Sequence, residues 1–411
     1  SGKLQRNLGP NVDQAIAVGQ SVGPLAGVPF AVKNLLDIEG ITTLLKTKDA
    51  TVVARLKAAG AVLVGALNMD EYAYGFVTEN SHFGPTLNPH DRTRVAGGSS
   101  GGSAASVSAG LLPITLGSDT NGSIRVPASF CGIFGLKPTY GRISRAGAFL
   151  FAASFDHIGP FARSVRDLAT VFDVLHGFDS RDPISSPRPV SPVLPQLDQG
   201  LDDLRLAIAD DHFDQGMEPV VRSGLEQVTK ALDVRQTVTI REAKRARGAA
   251  YIITASEGSN LHLANLKKRA QDFDPATRDR FLAGALIPVT WYVQAQRFRQ
   301  WYRDRVLELF QNTDVIIAPT TPCPATSIGQ VMMTIDGEEV KARPNLGLFT
   351  QPLSFIGLPI VSVPIQQPGK LPVGVQIIGA PYQEATVLRV ARVLEKQGVV
   401  SAAIANGAKK G

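Results

Sequence analysis

The stretch AASVSAGLLPITLGSDTNGSIRVPASFCGIFGLKP (residues 104–138) decides the fold that this sequence predicts. Small residues lead into the apolar run LLPITLGSD (111–119), and a Gly-containing loop follows between Asp119 and Arg125. Short apolar runs bounded by Gly or Pro are typical of strands that are buried on both faces. A flexible Gly/Ser linker would instead be followed by more polar sequence. The order of these segments therefore predicts a close-packed interior.

Five further runs of the same kind and four helical patterns surround this stretch. The strand-like runs lie at 27–34, 60–67, 314–319, 358–365 and 372–380, and the helical patterns at 49–60, 164–177, 295–310 and 384–398. Strands that alternate with helices favour an α/β fold, because the apolar faces of the sheet must be covered. We therefore expect an α/β sheet with helices on both faces.

The length of 411 residues allows two or three domains, but the order of the elements favours one. A Pro-rich connector divides the chain, and strand-like runs return after a long helical middle. We expect a single domain over residues 1–411, which consists of a core at about 25–180, the connector at 180–200, a helical middle at about 200–310, and C-terminal strands and a helix at 311–411.

Composition and charge exclude several classes of protein. With 44% apolar and 19% charged residues, the composition is globular and far from disorder. The net charge of +6 is a mild excess, and the densest basic run (241–250) has the spacing of a solvated helix face, so we expect no direct nucleic-acid binding. The sequence shows no run of 18 apolar residues, and its first stretch, SGKLQRNLGPNVDQA, has no apolar h-region. We therefore expect no membrane insertion and a cytoplasmic location.

The two cysteines, Cys131 and Cys323, are widely separated in the sequence. This spacing matches neither a metal-binding pattern nor a disulfide framework. We therefore expect no metal site and a reducing compartment.

The segment GGSSG (97–101) formally satisfies Gly-x-Ser-x-Gly, the nucleophile elbow of α/β-hydrolases. That elbow requires a buried strand directly before it, whereas the preceding LNPHDRTRV is polar and interrupted by proline. None of the downstream histidines stands in a context typical of a catalytic triad; they are His157, His176, His212 and His262. A phosphate-binding P-loop would need a Gly-Lys-Ser/Thr ending, which is missing.

The second loop, GSDTNGSIR (117–125), fits acyl-transfer chemistry better. Consecutive backbone N–H groups in a Gly-containing turn form a concave donor cluster suited to an oxyanion. A serine at the end of that turn is placed to attack a carbonyl, but it needs a base. Neither loop contains histidine, so the candidate base is Lys33 at the end of an apolar run. The alternative for Lys33 is an ordinary lysine that reaches solvent from a strand end.

The segment AGGSSGGSAASVSAGLLPITLGSDTNGSIRVPASFCGIFGLKPTYGRIS (96–144) resembles the signature segment of the amidase signature family. The resemblance continues in LAGVPFAVKN, LNMDEYAYGFVTENSHFGPTLNP, SFDHIGPFARSVRD, GLPIVSVP and LPVGVQIIG. It covers most of the chain and weakens in the Pro-rich connector and the helical middle. It implies the fold of that family, a large twisted mixed sheet covered by helices on both faces.

The resemblance also implies a Ser–cis-Ser–Lys catalytic set. Ser123 matches the nucleophile, Ser99 matches the bridging serine that follows a cis peptide bond, and Lys33 matches the lysine. The oxyanion hole would be formed by the backbone N–H groups of Thr120, Asn121, Gly122 and Ser123. Three further residues match family positions that support the catalytic residues, and they are Ser100, Asp119 and Arg125.

This set implies an acyl-enzyme mechanism without a metal or an organic cofactor. Lys33 must be neutral to accept a proton, so burial has to lower its pKa from about 10.4 towards 7. Ser99 would pass the proton between Ser123 and Lys33. Acylation of Ser123 would release ammonia or an amine, and water would then hydrolyse the acyl-enzyme.

Departures from the family pattern bear on the substrate. Many members of the family have glycine at the position of Asn121 in the second loop. At the position of His157, the relatives that use glutamine as a substrate usually have a glutamine residue. Those relatives, the A subunits of glutamyl-tRNA(Gln) amidotransferase, also have an aspartate for the α-amino group of glutamine, whereas the stretch 345–359 has no acid. These differences argue against glutamine as the substrate. Two alternative functions stay open, namely the glutaminase subunit of a tRNA-dependent amidotransferase and an amidase with another small-amide specificity.

Four segments resemble the branch of the family that hydrolyses 1-carboxybiuret, and they are SDTNGSIRVPAS, ITASEGSNLHL, AQDFDP and WYVQAQRFRQWYRD. The resemblance implies a small carboxylated amide as substrate, a homo- or hetero-oligomer and a small helical accessory subunit. Tyr74 and His157 are the candidate substrate contacts. Alternatively, His157 is a packed, hydrogen-bonded histidine with a structural role. Asn121 is alternatively a turn residue that tolerates positive φ.

The chain is shorter than its family at two places. Only 32 residues precede Lys33, where the family usually has a longer helical segment, and the stretch 40–53 is also short. We expect either a truncated chain or residues that are missing from the sequence at these places.

Overall fold

The computed structural model describes residues 14, 17–19, 22–41 and 48–405, so the N-terminal segment and part of the stretch 40–53 lie outside the described residues. The strands are β1 (Pro29–Lys33), β2 (Val62–Leu67), β3 (Glu79–Asn80), β4 (Gly84–Pro85), β5 (Leu87–Asn88), β6 (Asp91–Val95), β7 (Ile114–Asp119), β8 (Phe134–Lys137), β9 (His157–Ala162), β10 (Leu206–Ala209), β11 (Gln236–Val238), β12 (Val315–Pro319), β13 (Met332–Ile335), β14 (Glu338–Lys341), β15 (Ile360–Ile365) and β16 (Val373–Gly379). The described α-helices are α1 (Thr51–Ala58), α2 (Gly101–Ser108), α3 (Arg125–Cys131), α4 (Val165–Leu175), α5 (Pro219–Ala231), α6 (Ala243–Arg269), α7 (Pro275–Gly284), α8 (Val289–Leu309), α9 (Ala342–Asn345), α10 (Gln351–Ser354) and α11 (Glu384–Lys396).

Ten strands form one mixed sheet in the order β11-β10-β12-β16-β15-β8-β9-β7-β1-β2. The two ends of the sheet are parallel, since β10 pairs in parallel with β11 and β12, and β1 with β2 and β7. The strands between them are antiparallel. Every residue of β7, β8, β9, β15 and β16 is buried, so both faces of the central sheet are covered. The prediction of a large mixed sheet with helices is confirmed.

The amphipathic pattern of α4 shows how the helices cover this sheet. Ser164 begins the helix, because its side chain accepts a hydrogen bond from the backbone N–H of Asp167 at 3.0 Å. Val165, Leu168 and Phe172 share the face that is buried in the main hydrophobic core. The 3.6-residue period of the apolar positions therefore fixes which side of the helix faces the core.

The Gly/Ser-rich stretch forms α2 and packs tightly against its neighbours. A Cβ atom on Gly101 would lie 2.4 Å from the Thr78 hydroxyl, and one on Gly102 would lie 2.6 Å from the Asn68 carbonyl oxygen. Larger residues would clash at both positions, so the small residues serve close packing. The prediction of a close-packed interior, as opposed to a flexible linker, is confirmed.

All six predicted strand segments and all four predicted helical segments are present within or close to their predicted bounds. Four strands of the sheet were not predicted, and they are β8, β9, β10 and β11. Because β10 and β11 fall within 200–238, the long helices of the expected helical middle start only at Ala243. The division of the chain into one domain with four parts stays an interpretation of the sequence. Within the described ranges, no helix combines the length and apolarity that crossing a bilayer requires.

Candidate active site

Strand β1 carries Lys33 to the edge of the sheet where β7 also ends. The two strands are parallel neighbours, with Val32 opposite Leu116, so their carboxyl ends meet. Lys33 Nζ donates a hydrogen bond to the Ser99 hydroxyl at 2.6 Å and to the Ser118 hydroxyl at 2.9 Å. The structure thus brings together Lys33 and Ser99, which are 66 positions apart in the sequence.

Lys33 is completely buried and makes no ion pair with any described residue. Burial lowers the pKa of Lys33 to about 7, and the more distant charges of Asp70, Asp156 and Asp119 raise it only in part. A lysine in this state is partly neutral near pH 7 and can accept a proton. The environment of Lys33 therefore suits a general base.

The loop before α2 presents Ser99 to Lys33. The peptide bond between Gly98 and Ser99 is cis, as the family resemblance implies. A Cβ atom on Gly98 would lie 2.1 Å from Asp70 Oδ2, so this position requires glycine. The next residue, Ser100, donates a hydrogen bond to the carbonyl oxygen of Ser118 at 3.1 Å and accepts one from its N–H at 3.3 Å. Ser100 thereby ties the first loop to β7.

The second loop leaves the end of β7 and is held by a buried ion pair. Arg125 Nε and Nη2 donate to the two carboxylate oxygens of Asp119 at 2.9 and 3.0 Å. Burial alone would raise the pKa of Asp119, but the charge of Arg125 and its hydrogen bonds lower it to about 2. Arg125 Nη1 also donates to Gln376 Oε1 at 2.7 Å on β16. The pair therefore anchors both ends of the turn to the sheet.

Within this turn, four consecutive backbone N–H groups have no hydrogen-bond acceptor among the described residues, and they belong to Thr120, Asn121, Gly122 and Ser123. The turn itself is fixed from outside, because the Thr350 hydroxyl donates to the carbonyl oxygen of Asn121 at 2.6 Å. Gly122 has φ of +138°, and a Cβ atom there would lie 2.2 Å from Thr350 Oγ1. Free N–H groups on a rigid turn are the arrangement that an oxyanion requires.

Ser123 lies at the end of this turn and faces a cavity of about 390 Å³. Its hydroxyl has no hydrogen-bond partner among the described residues, and it is free for a reacting group. A hydrogen bond from Ser123 to Ser99 is not among the contacts of the described residues, so the relay between them stays a prediction. Thr120 and Asn121 line the same cavity.

One part of the cavity wall is aromatic and cationic. The Arg280 guanidinium lies 3.9 Å from the centre of the Tyr74 ring. Arg280 Nε donates to Ala276 O at 2.8 Å and Nη2 to Tyr74 O, whereas Nη1 has no acceptor among the described residues. Arg343 and Lys341 also line this wall. The structure thus places the candidate substrate contact Tyr74 in the cavity.

Two buried polar atoms of the cavity residues have no partner in hydrogen-bond geometry in the described part of the chain. They are the Tyr74 hydroxyl and Asn121 Oδ1. Burial raises the pKa of Tyr74 above its usual range, and the neighbouring Tyr251 phenol adds to this effect, so the Tyr74 hydroxyl stays protonated. Buried polar groups normally have partners, so Asn121 Oδ1 is available to a bound molecule.

His157, the other candidate substrate contact, does not line the cavity. Its ring is buried between Lys137 and the backbone of Asp119, at 3.3 Å from Lys137 Nζ and 3.1 Å from the Asp119 carbonyl oxygen. This position has the features of the alternative, a packed and hydrogen-bonded histidine, and a role in substrate binding stays a prediction. His157 begins β9 opposite Asp119 of β7, and its ring packs against Lys137 at the end of β8.

Sequence reasoning missed several residues of the site. Asp70 donates its N–H to the Ser99 carbonyl oxygen at 3.2 Å, and Asp156 accepts a hydrogen bond from the Thr120 hydroxyl at 2.5 Å. Both aspartates stand in segments that carry the family resemblance, which was a usable signal. Arg280 and Arg343 come from distant parts of the chain, and their local sequence gave no such signal.

Comparisons with known proteins identify the family to which the chain belongs. The sequence matches the family described as Amidase over residues 7–388. The chain belongs to the amidase family, and it is an amidohydrolase that acts on amide C–N bonds.

Two individual relatives show how similar the chain is to particular members of the family. The chain is 50% identical over 401 residues to AtzE, the 1-carboxybiuret hydrolase component of Pseudomonas sp. (strain ADP), covering 94% of this chain and 88% of that protein. It is 38% identical over 414 residues to the A subunit of the glutamyl-tRNA(Gln) amidotransferase of Methanococcoides burtonii, covering 92% and 86%.

A solved structure described as a vestigial protein complex that reveals the evolutionary origins of an s-triazine catabolic enzyme superposes with a TM-score of 0.94. It is 48% identical, and the match covers 96% of this chain and 89% of the solved chain. The fold of the chain is therefore that of the amidase signature enzymes.

Proposed function

We propose that the chain hydrolyses a small carboxylated amide through acylation of Ser123, with Ser99 and Lys33 moving the proton. The Ser123 oxygen forms a bond to the amide carbonyl carbon, and its proton passes through the Ser99 hydroxyl to Lys33 Nζ. The same proton returns to the leaving nitrogen as the C–N bond breaks, which releases ammonia or an amine. Water then attacks the acyl group by the same route and regenerates Ser123. The observation that carries the proposal is the 2.6 Å hydrogen bond between buried Lys33 and Ser99, beside a turn with free N–H groups.

The turn that contains Ser123 supplies the stabilisation of the transition state. As the nucleophile attacks, negative charge develops on the carbonyl oxygen of the substrate. The free N–H groups of residues 120–123 are the donors that this charge needs. Donors that are already in place at the start of the reaction need no reorganisation, which is why such arrangements lower the barrier.

The charge of the cavity supports a carboxylated substrate. Arg280, Arg343 and Lys341 contribute positive charge to its wall, whereas no Asp or Glu is among the described residues that line it. Arg343 is partly neutralised, because it donates to Glu79 Oε2 at 2.7 Å. Arg280 Nη1 has no such acceptor and is free to donate to a carboxylate.

We assign 1-carboxybiuret as the substrate within this class. The relative of 50% identity is named for hydrolysis of that compound, which supports the assignment. The unpartnered Asn121 Oδ1 offers an acceptor to the N–H groups of a nitrogen-rich amide. Glutamine fits the cavity less well, since its ammonium group would meet Arg280 and Arg343 without a lining carboxylate to balance it.

We extend the proposal to assembly. Both relatives are named as subunits, which supports the proposal that this chain also acts as part of a complex. The candidate partner is the small helical accessory subunit that the family resemblance implies, within a homo- or hetero-oligomer.

The substrate assignment is tested by ammonia release across a panel of carboxybiuret, biuret, allophanate, malonamate, glutamine and a simple aryl amide. We expect turnover of carboxybiuret and weak or no turnover of biuret, which differs from it only by the carboxylate.

In Arg280→Met, KM for carboxybiuret should rise by about 10- to 100-fold, the effect of losing a charge-assisted hydrogen bond. Arg278→Met is the matched control on the same helix, because Arg278 pairs with Asp279 instead. Inert carboxybiuret, together with turnover of another amide, would contradict the assignment.

A further inference from the structure

A second completely buried lysine, Lys137, lies at the end of β8, outside the proposed mechanism. Its Nζ donates to the carbonyl oxygen of Leu358, to that of Pro138 at 3.3 Å and to His157 Nε2 at 3.3 Å. Two of these three partners are carbonyl oxygens, which can only accept hydrogen bonds. The contacts therefore orient the lysine as a donor to the histidine ring.

The contacts of His157 select one tautomer of its ring. The Asp119 carbonyl oxygen, 3.1 Å from Nδ1, can only accept a hydrogen bond, so Nδ1 carries the proton. Nε2 then has a lone pair and accepts from Lys137. Burial and the charge of Lys137 lower the pKa of His157 well below its usual value, so the ring is neutral. Lys137 and His157 thus form a directed chain of hydrogen bonds that ends on the Asp119 carbonyl.

The Asp119 carbonyl precedes the turn that presents the free N–H groups and Ser123. Two successive side chains, one just before strand β9 and one at its first residue, form hydrogen bonds to the chain on either side of this peptide. Asp156 accepts the hydrogen bond of the Thr120 hydroxyl, and His157 donates to Asp119. Further contacts of the turn come from Thr254, Thr350 and Arg125, on different elements. The peptide that joins Asp119 to Thr120 is the part of the turn that side chains from the start of β9 contact.

We propose that His157 is a positioning residue for the turn 119–123, that Lys137 orients its ring, and that the chain from Lys137 through His157 to Asp119 aims the N–H groups at the substrate oxyanion. The inference rests on the proposed function of that turn. A residue in this role affects the transition state more than the bound substrate, because negative charge on the oxygen develops only during the reaction.

The test compares His157→Leu, which cannot donate, with His157→Gln, whose amide can donate to Asp119 and accept from Lys137. On whichever amide of the panel the wild type hydrolyses, we expect His157→Leu to lower kcat by about ten- to a hundredfold with KM within about twofold. His157→Gln should recover most of that loss. In ¹⁵N-histidine NMR spectra, the wild type should show a neutral Nδ1–H ring at position 157, and Lys137→Met should change that signal.

A purely structural role would make both His157 variants lose kcat in proportion to their loss of thermal stability. That result, or an unchanged kcat in His157→Leu, would overturn the inference. The two proposals fail differently. Full activity of Ser123→Ala would overturn the proposed mechanism, and an inert carboxybiuret would overturn only the substrate assignment. An unchanged kcat in His157→Leu alone would overturn only the role of His157.

Discussion

Lys33 and Lys137 have nearly the same burial and very different surroundings. Both side chains are completely buried, and burial lowers the pKa of each to about 7. By these two properties alone, either lysine qualifies as a general base. The difference lies in the atoms that each amine contacts.

Lys33 contacts hydroxyl groups, and Lys137 contacts acceptors. The hydroxyls of Ser99 and Ser118 can both donate and accept, so a proton can reach Lys33 Nζ through Ser99. The carbonyl oxygens around Lys137 have no proton to give, and His157 Nε2 presents a lone pair. A shifted pKa therefore makes a lysine available for proton transfer, but its hydrogen-bond partners decide whether it takes part.

The largest expected effect is the difference in kcat/KM between variants in which one or the other lysine is replaced. Lys33→Met removes the base, and we expect kcat/KM to fall by about 10²- to 10⁴-fold, the usual contribution of general base catalysis. Lys137→Met should lower it by no more than about tenfold, of the order of one hydrogen bond. Both substitutions replace a buried amine with an apolar chain of similar length, so each is the matched control of the other. Equal losses in the two variants, with intact circular dichroism spectra, would contradict the comparison.

A smaller effect is expected in the pH dependence. Lys33 must be neutral to accept the proton, so kcat/KM should fall about tenfold per pH unit as the pH drops below about 7. Among the charges that raise the pKa of Lys33, that of Asp70 is the largest, and Asp70→Asn removes it. The pKa of Lys33 should then fall, and the acidic limb should move to lower pH by up to about one unit.

Asp233→Asn serves as the control for the pH experiment, because Asp233 is exposed and pairs with Arg235. Its pH profile should coincide with that of the wild type. An acidic limb that moves to higher pH in Asp70→Asn would show that the titrating group is not a lysine beside a carboxylate.

The sequence predicted the parts of the site that lie in short recognisable segments, with the role of Ser99 taken from the family resemblance. The Gly/Ser loops around Ser99 and Ser123 and the apolar run before Lys33 are recognisable in short windows, and the structure joins Lys33 to Ser99 directly. The strands with long β-branched runs, such as β15 and β16, were predicted for the same reason. Strands β8 and β11 are only four and three residues long, and too short for a reliable period.

Tertiary contacts explain what the sequence could not show. His157 was expected near the substrate because glutamine-using relatives carry glutamine at this position, but in the structure its ring contacts Lys137 and does not line the cavity. Arg280 reaches the cavity from α7, a helix far along the chain from Ser123. Neither placement has a local pattern, because each depends on how distant elements pack.

The most direct test of the central claim is labelling with a small ethyl fluorophosphonate, which bonds to an activated serine oxygen with loss of fluoride. Peptide mass spectrometry should locate a single adduct on Ser123, and Lys33→Met should abolish the labelling while Lys137→Met retains it. An adduct on Ser99, or labelling of Ser123 that is independent of Lys33, would contradict the account.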